Sequence, residues 1–526
     1  MKALRLAAAL GAAALLLGAC GGDAGGSDGR LVDGKTFTMA LPGDPGSLDP
    51  HFTSLSVTGQ VDRFLYDSLL DFAPDGTLLP GLAEKWQATT TTATFTLRKG
   101  ITCADGSPLT AGTVAANISF VGDVKNGSSR VGTYVPAGAT ATADQAAGTV
   151  SVTSPSPDAF LDRNIGGLPI VCEKGMTNRD VLKRGSDGTG QFTLTEAVAD
   201  DHYTLTRRKD YAWGPGDWKS DQPGLPDKVV LRIIANEATT ANLMLSGEVN
   251  AARLSGPDGQ RLRGDGYLKR DVLAPTGEIL FHQKAGLPTA DPAVRRALVQ
   301  SLDLAQLRQV FTSGQGAAPT GLVAPSMTPC KGDTVTGTLP GFDKAAAGSA
   351  LDAAGWTVGG DGVRVRGGTP LALTVAYSTS GTPGAQATAE LLQQQWTAVG
   401  VKAVLKPVTE VQVGQIAGGQ LAWDVAMFPI GVTLPSQLVP YVSGPVPPQG
   451  TNFAAIDNKD YQAAVDAAQK VPGVGGCPQW AAAEKALLQH LDLVPFANSN
   501  IPVYARGATV ELSEGSLDPA SIRMLG

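Results

Sequence analysis

Apolar and polar positions alternate with period two in Thr94-Phe95-Thr96-Leu97-Arg98, in Tyr203-Thr204-Leu205-Thr206 and in Leu371 to Tyr377, so each of these reads as a strand with one buried face. Helical spacing intervenes. Asp291-Pro292 supplies an N-cap and a proline at the first helical position, after which Val294, Ala297, Leu298 and Leu302 fall on one stripe. Asp303 restarts the pattern as a cap, with Gln306 three residues on and Leu304, Leu307 and Phe311 facing inward. From Ala385 to Val399 a helix carries Leu391, Leu392, Trp396 and Val399 and stops at Gly400, and Val401 to Val408 follows as a strand. Strand, helix and strand in this order predict a βαβ unit, with a parallel pair and a right-handed crossover. The chain is α/β throughout.

The amino terminus has a different pattern. Lys2 and Arg5 precede an apolar run from Leu6 that is too short to span a bilayer and ends at Leu17-Gly18-Ala19-Cys20. This predicts a lipoprotein signal peptide over residues 1–19, with Cys20 as the lipidated first residue of the mature chain. Two acyl chains on its thiol hold far more firmly than one, at about 0.8 kcal/mol per buried methylene. Residues 20–34, rich in Gly, Asp and Ser, predict a flexible tether. Within it Gly25-Gly26-Ser27-Asp28-Gly29 matches a hydrolase nucleophile turn, but it lacks the preceding strand and following helix that such a turn needs.

At 526 residues the chain holds several times the roughly 100–150 residues of a single core, so two or three packed units are expected. Hydrophobic residues are 43% and charged residues 17%, which excludes a mostly disordered chain. The formal charge of −7 becomes more negative once Lys2 and Arg5 leave with the leader, and cations cluster only in short groups such as Arg207-Arg208-Lys209. Nucleic acid is therefore excluded as a partner. With Cys20 lipidated, Cys103, Cys172, Cys330 and Cys477 remain, an even number in an oxidising compartment. Proximity along the chain favours Cys103 with Cys172 and Cys330 with Cys477 among three connectivities, and free buried cysteines are the alternative.

Motifs for chemistry are scarce. The four histidines, His51, His202, His282 and His490, are far apart and form no close metal-ligand pattern. No P-loop or dinucleotide fingerprint occurs. The residues point to a protein that is not an enzyme, with no cofactor and no metal.

An ordered series of phrases narrows the class. Leu41-Pro42-Gly43-Asp44-Pro45-Gly46-Ser47-Leu48-Asp49-Pro50-His51 is followed by Tyr66-Asp67-Ser68-Leu69-Leu70, then by Leu79-Pro80-Gly81-Leu82-Ala83-Glu84-Lys85-Trp86. Further on come Gly188-Thr189-Gly190-Gln191-Phe192, Arg208-Lys209-Asp210-Tyr211-Ala212-Trp213 and Asp291-Pro292-Ala293-Val294-Arg295-Arg296-Ala297-Leu298. The series resembles the peptide/nickel class, family 5, of ABC-transporter solute-binding proteins over roughly residues 35–510.

The resemblance implies a two-lobed periplasmic-binding-protein-like fold, type II and of the large three-domain variety, with a ligand cleft between the lobes. Residues 35–275 and 493–526 would form a discontinuous first lobe and residues 276–492 the second, with the chain crossings as hinges. A monomer on the outer face of the cytoplasmic membrane would capture a peptide-like or other small polar solute and deliver it intact to ABC permease subunits. A secreted hydrolase, or a ligand sensor or adhesin on the same fold, is the competing class. The same resemblance places Gln283, Trp423, Phe428 and Thr433 at the cleft from the second lobe, with Ser47 and Thr53 facing them. Peptide-binding relatives pair the ligand's amino terminus with an Asp at a position where this chain has Val432-Thr433-Leu434-Pro435-Ser436. A buried ammonium needs a charged partner. The missing carboxylate therefore disfavours a conventional free-amine peptide and leaves a modified or cyclic peptide, an opine-like compound, a sugar or another neutral solute.

Overall fold

The computed structural model describes residues 29–53, 55–216, 218–254, 257–264, 266–378 and 384–526. The leader, Cys20 and the Gly25-to-Asp28 part of the hydrolase-like pattern lie outside the described residues. Leu31, Val32 and Asp33, expected within a flexible tether, are held against the rest of the chain. Leu31 bridges Leu525, the Val32 N–H donates to the Met524 carbonyl at 3.0 Å, and the Asp33 carboxylate accepts from the Gly224 N–H.

A ten-stranded mixed sheet runs through the molecule. On one side of its middle, Thr36–Leu41 pairs parallel with Lys228–Ile233 and with Ala251–Arg253, and the His202–Arg207 and Phe192–Val198 strands extend that edge antiparallel. On the other side, Ala372–Ser378 pairs parallel with Lys402–Val408 and with Val425–Met427. The helix Ala385–Thr397 connects the first two of these, burying Leu392 and Trp396, and the chain turns at Gly400 with φ +83°. This is the βαβ unit that the hydrophobic spacing predicts. The Asp291 and Asp303 caps also form, accepting from the N–H groups of Ala293 at 2.9 Å and Gln306 at 3.0 Å. Leu302 is buried but lies just past the end of the helix Pro292–Gln300.

Two long strands join the halves. Leu268–Phe281 and Leu493–Ala505 pair antiparallel along almost their whole length, with a register irregularity around Gly277. Near Leu268 this ribbon neighbours the first half of the sheet through Ala251–Arg253, and near Phe281 it neighbours the second half through Val425–Met427. Gly277 is required by contact: a Cβ there would lie 2.6 Å from the Phe496 ring. The buried apolar residues sort in the same way. One group of cores draws on residues up to Val272 and on the carboxyl-terminal segment, and the other on residues from Ile279 to Ala497. Ala159 and Phe160 are the exception. They enter the second lobe's core, where Phe160 lies 6.2 Å from the Trp480 ring.

The first lobe carries an additional four-stranded antiparallel sheet, ordered Ala83–Ala88, Thr92–Leu97, Thr149–Thr153, Thr140–Asp144. Cys103 is bonded to Cys172 in this lobe, and Cys330 to Cys477 in the other. Among the described residues no helix is long and apolar enough to cross a membrane.

Candidate functional site

A cavity of about 540 Å³ opens between the two lobes. Its first-lobe wall is built on the helix Ser56–Leu65, whose Val61, Phe64 and Leu65 anchor it in the core. Gly59, Asp62 and Arg63 of this helix line the cavity, together with Arg130, Arg163, Gln191 and the segment around Glu514 and Asp518. The second lobe closes it with Gly431 to Leu434, Gln437 and Tyr441. The Gln437 Oε1 accepts from the N–H and hydroxyl of Thr433 and from the Leu434 N–H, each at 3.2 Å, and so fixes the loop that faces the first lobe.

Three of the phrases noted in the sequence meet at one carboxylate of this wall. Asp67 accepts hydrogen bonds from the Thr189 hydroxyl at 2.9 Å, the Tyr211 hydroxyl at 3.0 Å and the Trp213 Nε1–H at 3.0 Å. Burial pushes its pKa up to about 6 against the pull of those three donors. Arg208 braces the same corner, stacking over the Trp213 ring at 5.2 Å and pairing with Asp210 at 2.8 Å. These contacts position the wall and leave Asp67 little capacity for a ligand.

Asp62 is different. It is 3% exposed, and neither carboxylate oxygen has a hydrogen-bond partner among the described residues. Burial holds its pKa well above the ordinary carboxylate range; Arg130 pulls it down and Asp49 pushes it up. Gln191 is 2% exposed with both its amide nitrogen and its amide oxygen unpartnered. By contrast, Arg63 pairs with Glu514 at 3.2 Å, the Arg130 Nε donates to the Pro50 carbonyl at 2.8 Å, and Arg163 lies over the Phe72 ring at 4.8 Å. Five carboxyl groups and three guanidinium groups line the cavity, and burial raises the pKa of Asp62, Asp67, Glu514 and Asp518 among the five.

Of the six ligand positions expected from sequence, only Thr433 lines this cavity. Ser47 and Thr53 cap turns, accepting from the N–H groups of Asp49 at 3.3 Å and Leu55 at 3.2 Å. The loop between them is fixed by Arg179, which holds Asp49 through two bonds of 2.7 and 2.6 Å. Gln283 donates to Asp492 at 2.8 Å, and Asp492 also accepts from Asn458 at 2.7 Å, an arrangement internal to the second lobe. Trp423 and Phe428 are core residues: Trp423 stacks on His282 at 4.8 Å and Phe428 on Phe453 at 6.5 Å. Asp424 accepts from the Thr374 N–H at 2.7 Å and ties two strands together. Among the described residues no group of three or more His, Cys, Asp or Glu is placed to hold a metal ion.

Sequence reasoning missed Asp62, Gln191 and the Arg63–Glu514 pair. One signal was available: Thr58, Asp62 and Leu65 share a stripe, so an acidic residue sits inside a face that the helix buries.

Comparison with known proteins defines the class. The profile of bacterial extracellular solute-binding proteins, family 5, matches residues 77–442, more than half of the chain. The chain belongs to this family of solute-binding proteins for ABC importers, which bind and do not catalyse. Protein XP55 of Streptomyces lividans is 30% identical over 396 residues, covering 71% of this chain and 67% of that one. The glutathione-binding protein GsiB of Salmonella choleraesuis is 25% identical over 458 residues, covering 83% of each. A substrate-binding protein from Microbacterium hydrocarbonoxydans, solved with 4-hydroxybenzoate hydrazide, superposes with a TM-score of 0.72 at 25% identity, covering 93% of this chain and all of that one.

Proposed function

We propose that the protein is anchored through Cys20 to the outer face of the cytoplasmic membrane. There it captures a peptide-like or other small polar solute as a monomer and passes it unchanged to the permease subunits of an ABC importer. The observation that carries this reading is the cavity walled by both lobes, since a ligand touching both favours the closed arrangement by the difference in its affinity for the two states. Its volume of about 540 Å³ suits a small solute held by a few polar groups on a shaped wall. Thr433, Asp62 and Gln191 are the residues we assign to solute contact. Relatives named for glutathione, dipeptides and oligopeptides support a peptide-like solute.

Native mass spectrometry of the full chain, recovered from membranes without denaturation, tests the capture. A bound small molecule, released intact on unfolding, is expected; chemical conversion of that molecule by the purified protein would overturn the reading. The anchor is tested separately, because Cys20→Ser should move the protein from the membrane to the soluble fraction.

A further inference from the structure

Asp62 has no structural task that the fold reveals. Carboxylates in this lobe that do have one are visibly partnered: Asp67 by three donors, Asp49 by Arg179, and Asp44 by the N–H groups of Gly46 and Asp200. Asp62 lies on the cavity wall, 3% exposed, with both oxygens unpartnered. A buried carboxyl left in that condition keeps its proton until a charged partner arrives and lets it ionise. The charges that act on it are Arg130, whose Nε is already committed to the Pro50 carbonyl, and Asp49, which Arg179 holds. Two further orphans line the same cavity: the whole side-chain amide of Gln191, and the Asn164 Oδ1, whose Nδ2 donates to Asp158 at 2.8 Å. Three polar side chains without a protein partner around one cavity leave positions that polar ligand groups can complete.

Resting on the proposed capture of a solute in this cavity, we propose that the solute carries a cationic group, an ammonium or a guanidinium, which docks on Asp62 from the first lobe. Gln191 then bonds an adjacent amide or hydroxyl, because its side chain offers a donor and an acceptor together. The carboxylate that is absent from Val432 to Ser436 is in this way supplied from the opposite wall. This proposal departs from the expectation that the missing carboxylate disfavours a free-amine peptide.

The test is equilibrium binding to the full chain and its Asp62→Asn variant. The probe is a defined pool of di- and tripeptides, diamines and guanidino compounds, each beside its N-acetylated or otherwise neutral counterpart. Amine-bearing members should bind the native chain and lose at least about tenfold in affinity in D62N, roughly 1.4 kcal/mol. The neutral counterparts should change less than about twofold. The melting temperature of D62N should equal or exceed that of the native chain, since no protein donor is lost. Equal retention of amines by D62N, or capture of neutral members in preference to cationic ones, would overturn the assignment while leaving solute capture intact. Binding of no small molecule, from the pool or from membranes, would overturn both.

Discussion

Replacing Glu278 by glutamine should flatten the pH dependence of stability by an amount that the structure sets. Glu278 lies in the ribbon that joins the lobes, is 0% exposed, and uses one oxygen to accept from the Ile430 N–H at 2.9 Å. Its other oxygen has no partner among the described residues. Burial, with a smaller push from Glu484, raises its pKa from 4.5 to about 8. Between those two values the folded chain keeps a proton that the unfolded chain releases, so stability is fully present below the lower value and falls as pH rises. The slope approaches 1.4 kcal/mol per pH unit, and passing from about pH 5 to about pH 7.5 should remove roughly 3 kcal/mol through this one group. Asp62, Asp67 and Asp518 titrate in the same direction, so the quantity to measure is the difference between the native chain and E278Q, in which their contributions cancel. Urea unfolding at several pH values, followed by tryptophan fluorescence, reads it. Parallel pH profiles for the two proteins would refute the reasoning, because they would mean that Glu278 is ionised or hydrated in the folded state.

Three further outcomes are expected. Gly59→Leu should abolish solute binding while holding or raising the melting temperature: a Cβ at Gly59 meets nothing within 4 Å, the side chain projects at the cavity wall, and a glycine inside a helix costs about 1 kcal/mol. Arg295→Ala should destabilise the second lobe by about 3–5 kcal/mol in thermal or urea unfolding, because Arg295 is 2% exposed, pairs with the 1%-exposed Asp492 at 3.5 Å and donates to the carbonyls of Thr289 and His490. The paired substitution Cys330→Ser with Cys477→Ser opens a link between residues 147 apart and should cost roughly 2–5 kcal/mol, read as a lowered melting temperature under oxidising conditions.

What could be read from the sequence was local. The helix Pro292–Gln300 is set by Asp291, Pro292 and one apolar stripe, all within a few residues, and the parallel pair Ala372–Ser378 with Lys402–Val408 follows from the helix between them. The wall of the cavity depends on long-range meetings: Asp67 is joined to Thr189, Tyr211 and Trp213 across 122, 144 and 146 residues, separations that no periodicity encodes. The ligand positions inferred from resemblance, Thr433 apart, lie outside this cavity for a related reason. Trp423 and Phe428 stand next to the cavity loop in sequence, but their strand and its continuation turn them into the aromatic core around Phe453. Gln283 has the right chemistry for a ligand and spends it on Asp492.

The zipped pair of crossing strands also limits how the molecule can move. Sliding one lobe past the other would shear the hydrogen-bond ladder between Leu268–Phe281 and Leu493–Ala505 along its length, whereas flexing or twisting the pair keeps most of it. The ladder is interrupted at the register step at Gly277, where no side chain obstructs the Phe496 ring. A methyl group added at residue 277 would lie 2.6 Å from that ring and should distort the crossing, although the residue is outside the cavity lining.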